Sequence, residues 1–342
     1  MNTKTKQFLL PQRFQHVKVL GKGAYGKVVA AWDQKDNKMV AIKKIHGIRS
    51  NRHDAFLSLN EIQIMNHMNH PNLTKSINTY GLLTPRAFND IYIIMDHMEA
   101  DLHKIIHSKQ KLTNAHIRHM MFQIIKGVIH LHSSGIIHCD LKPSNIFVNG
   151  NCDVKIGDFG LSRSFVENQG EDVEEYVVTR WYRAPEVMCS DYNEKLDMWS
   201  LGCIMGEFHG RKAMFRGDDY MQQLELIFDV MGTPSDEDIK SLTNERAVAH
   251  IHAMKKIEKT PLMLIYEGAD PLAIDLMEQL LMFNPKKRIS AIDAYYHPYF
   301  DPLRSSDTNE THIDHINRYI YEEPRFPHRI ILDQLIRYQA PI

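Results

Sequence analysis

Cysteine is scarce. Cys139, Cys152, Cys189 and Cys203 are the only four in 342 residues. They form no Cys-x-x-Cys pair and no metal spacing, so the sequence predicts reduced thiols rather than a disulfide framework or a zinc module. Long hydrophobic runs are absent too. None reaches the roughly 18 residues that a membrane span needs. The N-terminus, MNTKTKQFLLPQRF, has too short an apolar stretch for a secretory signal. Charge of one sign is also lacking, because the net charge is −1. Nothing therefore demands nucleic acid or an anionic membrane as a partner. There is no internal repeat and no low-complexity tract. The 20 histidines scatter, and the pair in HMNH at 67–70 has no third ligand cluster beside it.

What remains is an ordinary globular composition, 43% hydrophobic and 24% charged. The chain is longer than one small core usually supports, so two lobes are expected. Residues 14–45 read as strands: GKVVAAWD and MVAIKKI are β-branched and alternating, with DQKDNK as the turn. A helix is predicted from about Asp54 to His67, and IYIIMD at 91–96 is another buried strand. From Leu102 onward the pattern turns helical. IRHMMFQIIKGVIHLH forms one helix, and LDMWSLGCIMGEF forms a second, apolar on most faces and hence buried. The joint falls at Asp96–Ala100, and a cleft between two lobes is a usual place for a small-molecule site.

Gly21-Lys22-Gly23-Ala24-Tyr25-Gly26-Lys27-Val28 sits in a strand-turn-strand context. Glycines there let backbone N–H groups approach phosphates without a Cβ in the way. A dinucleotide-binding turn would need a helix next, and a strand follows instead. Strand alternation puts Val28 on the face that roofs a flat base. In Val40-Ala41-Ile42-Lys43, the same alternation puts Ala41 and Lys43 on one face. Burying a bare ammonium is costly, and Glu61 on the following helix is the available carboxylate. Then come His138-Cys139-Asp140-Leu141-Lys142-Pro143-Ser144-Asn145 and Asp158-Phe159-Gly160. Phosphoryl transfer needs a carboxylate to orient the hydroxyl, cations to neutralise charge and oxygen ligands for Mg²⁺. Asp140 suits the first role and Lys142 can contact the transferring phosphate. Asn145 and Asp158 are hard oxygen donors for the metal.

Together with Ala184-Pro185-Glu186, these motifs resemble the protein-kinase signature set over about residues 14–300. The resemblance implies an α+β, bilobal protein kinase fold using ATP and Mg²⁺. Its N-lobe, 14–98, would be an antiparallel sheet plus one helix. Its C-lobe, 99–300, would be mainly helical, with an activation segment at 158–186 and an insert at about 232–269. Residues 301–342 would form a C-terminal extension packing back on the lobes. Glu186 would pair with Arg288, and Asp197 would brace the catalytic loop. Adenine would bond the backbone at Asp96 and Met98, with Met95 as gatekeeper, Asp101 nearby and Phe147 flooring the pocket where leucine is common.

Thr179-Arg180-Trp181-Tyr182-Arg183-Ala184-Pro185-Glu186 resembles the MAP kinases, as do FRGDDYMQQLELIFDVMGTPSDED and the closing IRYQAP. That resemblance implies a serine/threonine kinase, proline-directed, in which Arg180 shapes a pocket for proline after the target residue. It implies protein substrates, an upstream kinase acting on Tyr176, docking-motif partners and a monomer in the cytoplasm, with the nucleus also open. It implies neither nucleic acid nor membrane as a partner. An acidic docking patch would fall at Asp307 and Glu310, where a plain solvated loop is the alternative.

Two departures stand out. Glu174 replaces the threonine of the usual Thr-x-Tyr, and Ser58 and Cys139 stand where two of its three phosphate-binding arginines would be, leaving Arg163. Tyr176 keeps Arg180 and Arg183. A phosphate suits several arginines and a single carboxylate suits one, so the changes are mutually consistent. A neutral surface change at Glu174 is the competing reading. Cys139 is either a small buried filler or a redox-sensitive thiol. A neighbouring carboxylate raises a thiol's pKa and disfavours the second. A pseudokinase scaffold is the other functional class, but Lys43, Asp140 and Asp158 are all retained.

Overall fold

The computed structural model describes residues 12–23, 26–81, 90–164, 179–189, 193–240, 242–305 and 328–338. It divides into two compact units. The first comprises Met1–Glu99, Asp158–Leu161 and Glu322–Ile342, and the second comprises Ala100–Gly157 and Ser162–Tyr321.

The first unit is built on five antiparallel strands: β1 (Phe14–Gly23), β2 (Gly26–Asp33), β3 (Lys38–His46), β4 (Ser76–Gly81) and β5 (Asp90–Asp96). Their order is β1-β2-β3-β5-β4. Alternation decides what each face carries. Phe14, Val29, Ala31, Val40, Ile42, Tyr80, Tyr92 and Ile94 form one apolar cluster. The intervening residues Val28, Ala41 and Lys43 therefore face the other way. Helix α1 (Arg52–His67) starts at Asn51, whose side chain accepts from the His53 and Asp54 backbone N–H groups. It begins two residues before the predicted Asp54. The strand β4 was not predicted from sequence; SINTYG is short and half polar, a weak signal. A C-terminal helix, His328–Arg337, packs on α1. It buries Ile331 and Leu335 completely, one helical turn apart. Of the predicted closing segment IRYQAP, residues 339–341 lie outside the described residues.

The second unit is mainly helical, with short strand pairs. Strand β6 (Ala100–Asp101) leads into α2 (Leu102–Ile106) and α3 (Asn114–Ser133). Strands β8 (Ile146–Val148) and β9 (Val154–Ile156) form a three-stranded sheet with β6. Strand β7 (Ile136–Ile137), between β6 and β8 in the chain, pairs with β10 (Arg163–Ser164), which follows β9. Helix α4 (Pro185–Cys189) precedes α5 (Lys195–Gly210), which is buried over 13 consecutive residues, Leu196–Phe208. That burial matches its apolar sequence on most faces. Helix α6 (Tyr220–Met231) follows, capped by the Asp219 side chain. The region of the expected insert carries short helices at Asp236–Ile239, Glu245–Ala253 and Leu262–Ile265. Among the described residues, no helix is long and apolar enough to cross a membrane.

Candidate active site

In the first unit, Lys43 sits in the middle of β3 and its ammonium donates to both oxygens of Glu61 at 2.8 Å. A third bond runs to Asp158 Oδ1 at 3.1 Å. Glu61 is 4% exposed, whereas the Asp158 side chain is 45% exposed. Burial alone would push the Lys43 pKa down, but the carboxylates of Asp158 and Glu61 outweigh it and hold the pKa above its ordinary value. Lys43 is therefore charged at any working pH. Asp158 has φ +65°, in the left-handed region. Phe159–Leu161 continues as one 3-10 turn with Phe159 fully buried.

The glycine-rich hairpin falls at the turn between β1 and β2, where Gly23 pairs with Gly26. Two of its glycines stand in different surroundings. A Cβ on Gly26 would lie 2.0 Å from the Lys44 carbonyl oxygen, so the β2–β3 contact itself requires glycine there. A Cβ on Gly21 would meet nothing within 4 Å. Only the second leaves room of the kind a phosphate-binding loop needs. Val28 and Ala30 lie opposite Lys43 and Ala41 in the β2–β3 ladder, and Met95 lies opposite Ala41 in β3–β5. Asp96 ends β5, and Met98 two residues on is buried.

In the second unit, the segment His138–Asn145 is pinned from below by Asp197. Its carboxylate accepts from the backbone N–H of His138 at 2.8 Å and of Cys139 at 3.0 Å, and contacts His132 Nε2 at 2.9 Å. Asp197 is fully buried on α5. Lys142 Nζ donates to Asp140 Oδ2 at 2.7 Å, and Asn145 Nδ2 donates to the same oxygen and to the Asp140 carbonyl, both at 2.9 Å. Asp140 is thus held by two neighbours and 8% exposed. The Asn145 nitrogen is committed to Asp140, which leaves its amide oxygen as the donor for a cation. Asp101 caps α2 through the Lys104 N–H, and Phe147 pairs with it from the centre of β8.

Cys139 is half-buried with φ +66°. Burial, then the nearby Asp197 and Asp140 carboxylates, push its thiol well above the usual range, against the pull of Arg163. The predicted Glu186–Arg288 pair is present, with bonds of 2.5 and 2.9 Å in full burial. Arg180 stacks over the Tyr220 ring at 5.1 Å, and Arg183 Nη1 donates to the Tyr220 hydroxyl at 2.9 Å. Arg180 Nε and Arg183 Nη2 are buried with no hydrogen-bond partner among the described residues. Cys139, Asp140, Thr179, Tyr182, Arg183 and Ser200 line one small pocket.

Some expected residues lie elsewhere. Glu174, Tyr176, Asp307 and Glu310 are outside the described residues. Ser58 is buried, and its hydroxyl donates to the Asp54 carbonyl of its own helix. The α1 side chain that does reach the Asp158 segment is Asn60, which the sequence reading missed, as it missed Tyr220. Neither carries a motif signal.

The protein kinase domain family matches residues 14–300, which makes this chain a protein kinase domain over most of its length. Mitogen-activated protein kinase 4 of Oryza sativa subsp. japonica is 43% identical over 298 residues, covering 86% of this chain and 80% of that protein. Mitogen-activated protein kinase 2 of Arabidopsis thaliana is 40% identical over 304 residues, 88% and 81% respectively. A Nicotiana tabacum homologue, NTF3, is 42% identical over 300 residues, 86% and 80%. The chain belongs to the mitogen-activated protein kinases, a family of serine/threonine protein kinases.

Proposed function

We propose that this kinase transfers the γ-phosphoryl group of ATP to serine or threonine in protein substrates, at sites followed by proline. The observation that carries the reading is the setting of Asp140. Its carboxylate is buried, bonded to Lys142 and Asn145, and fixed through backbone bonds to Asp197. A carboxylate so placed can orient a substrate hydroxyl and accept its proton. Lys142, bonded to the same oxygen, is positioned to contact the transferring phosphate. Lys43, kept charged by Asp158 and Glu61, clamps the phosphates of the nucleotide. Gly21, Gly23, Gly26, Val28, Ala41, Met95, Asp96, Met98, Asp101 and Phe147 would surround the nucleotide.

The donor set fits Mg²⁺. Asn145 presents an amide oxygen and Asp158 a solvent-accessible carboxylate, both hard ligands. When bound, the metal neutralises charge building on the phosphate oxygens. Arg180 and Arg183 support a regulatory reading. Both hold buried guanidinium nitrogens without a described partner, which suits a phosphate on Tyr176 delivered by an upstream kinase. Glu174 with Arg163 would supply part of the loop order permanently. A monomer in the cytoplasm, with nuclear access, fits the sequence.

The test is the purified protein with ATP, Mg²⁺ and paired peptides carrying Ser-Pro or Ser-Ala. Phosphorylation favouring Ser-Pro, abolished by Asp140→Asn with ATP binding retained, is expected. Equal rates on both peptides would remove the proline preference. Parental turnover in Asp140→Asn would remove the assignment.

A further inference from the structure

Helix α1 turns one face toward the Asp158 segment. Leu57, Asn60 and Glu61, spaced i, i+3 and i+4, lie together on it. Glu61 holds Lys43, which bonds Asp158. Asn60 Nδ2 donates to the Phe159 carbonyl at 3.2 Å and to the Gly160 carbonyl at 3.1 Å, across about 100 residues of chain. Leu57 meets Gly160, where a Cβ would come to 3.7 Å from the Leu57 carbonyl oxygen. Asn60 is 1% exposed. Two carbonyl oxygens facing one amide settle which end is nitrogen, because an amide oxygen there would oppose both.

The geometry points to Asn60 as a positioning residue that ties Asp158-Phe159-Gly160 to α1 and so fixes the direction of the Asp158 carboxylate. The inference rests on the reading of Asp158 as a metal ligand. Two consecutive residues then govern both ends of the segment. Glu61 acts on Asp158 through Lys43, and Asn60 acts on the two carbonyls that follow. An amide needs no phosphate and no cation to make these bonds. The bonds are neutral and their donor is buried, so salt screens them little. The φ of +65° at Asp158 is a conformation that non-glycine residues adopt reluctantly, and it persists where neighbours hold it. A displacement of α1 would break the Lys43 clamp and release Phe159 and Gly160 in one movement. The arrangement of Asp158 is thereby set from α1, independently of modification of the loop beyond it.

The experiment uses the full chain, free of phosphate, and compares Asn60→Asp and Asn60→Ala with the parent. Asn60→Asp keeps the shape and replaces a donor with an acceptor aimed at two carbonyls. Asn60→Ala removes the donor without adding charge. Loss of two buried hydrogen bonds is expected to lower kcat about tenfold and to raise the Mg²⁺ concentration for half-maximal rate, with the peptide KM unchanged. Without nucleotide, amide exchange at Phe159–Leu161 should quicken in both variants while exchange in β1–β5 stays at the parental rate. Parental exchange at Phe159–Leu161 in both variants overturns the proposal. So does exchange that quickens evenly through β1–β5, which would make Asn60 a packing group. Parental turnover in an Asp158→Ala control would overturn the metal-ligand reading instead, and the exchange data tell the two failures apart.

Discussion

Glu61 and Glu186 are both buried glutamates facing a cation, at 4% and 1% exposure, but the two cations live differently. Arg288 spends its donors on Glu186 and on the carbonyls of Met282, Phe283 and Lys195, and its guanidinium lies 5.2 Å from the Trp199 ring centroid. That centre is closed, and every guanidinium nitrogen of Arg288 is bonded within it. Lys43 spends two donors on Glu61 and a third on Asp158, which is nearly half exposed. That centre is open on one side. A closed pair contributes geometry, because its desolvation is already offset and it has nothing left to bind. An open one can exchange a partner for a phosphate oxygen. The same contrast recurs at Asp140, whose carboxylate is held by two side chains yet lines a pocket.

If that division is right, variants on the open side should lose rate and variants on the closed side should lose stability. Asp140→Asn should show the largest effect, a fall in turnover of about 10²–10⁴-fold with ATP affinity little changed, measured by steady-state kinetics and nucleotide titration. A large fall in thermal stability with modest loss of rate would blur the contrast. Arg288→Ala should cost about 3–5 kcal/mol of stability in chemical denaturation, because it leaves Glu186 charged and buried. A two-state loss much smaller than this would mean that the buried pair is replaceable by local repacking. Glu61→Gln leaves Lys43 with Asp158 as its only carboxylate. We expect turnover to drop about 10²-fold through misplacement of the lysine, with a smaller change in Tm than for Arg288→Ala.

Glu207 sharpens the comparison because it is a buried glutamate with no strong cation. It is 1% exposed, accepts from the Tyr182 hydroxyl at 2.5 Å, and has the His107 imidazole at 3.9 Å, with His103 nearby, as basic neighbours. Burial raises its carboxyl above the ordinary 4.5, against the bond from Tyr182. The folded state therefore holds this proton more tightly than the unfolded chain. Its contribution to stability is complete below pH 4.5 and is lost as pH rises through the folded value. Denaturation measured across that window should show a slope that Glu207→Gln removes. The smallest effect belongs to Glu174. A single carboxylate–arginine pair contributes about 0–1 kcal/mol, so Glu174→Ala should lower the basal rate of phosphate-free protein by no more than about fivefold. Glu174→Thr should not gain strong control by threonine phosphorylation. Equal basal rates for the parent and Glu174→Ala would make that carboxylate incidental.

Cys139 was open between two readings, and the geometry favours the inert one. Its thiol is half-buried beside Asp197 and Asp140, and its Sγ contacts the Ile137 carbonyl. A raised thiol pKa means little thiolate at neutral pH and slow alkylation.

The residues whose chemistry is carried by local spacing were legible from sequence alone. Lys43 could be assigned because a lysine on an apolar strand demands a carboxylate, and Glu61 was the one within reach. Asp140, Lys142 and Asn145 lie within six residues, so their mutual bonds follow from one loop. Strand alternation placed Val28, Ala41 and Lys43 on the face away from the apolar cluster, because side-chain direction in a strand has a period of two. What the sequence could not determine depends on where distant chain arrives. Asn60 became a donor to Phe159 and Gly160 only because the turn at Phe159–Leu161 was brought onto α1. Tyr220 came to occupy Arg180 and Arg183 because α6 starts beside the turn at Arg180–Tyr182. Gly26 turned out to answer to the Lys44 carbonyl in the neighbouring strand. Neutral amides, phenols and glycines carry no charge that forces a partner, so their roles are set by tertiary contact and not by pattern.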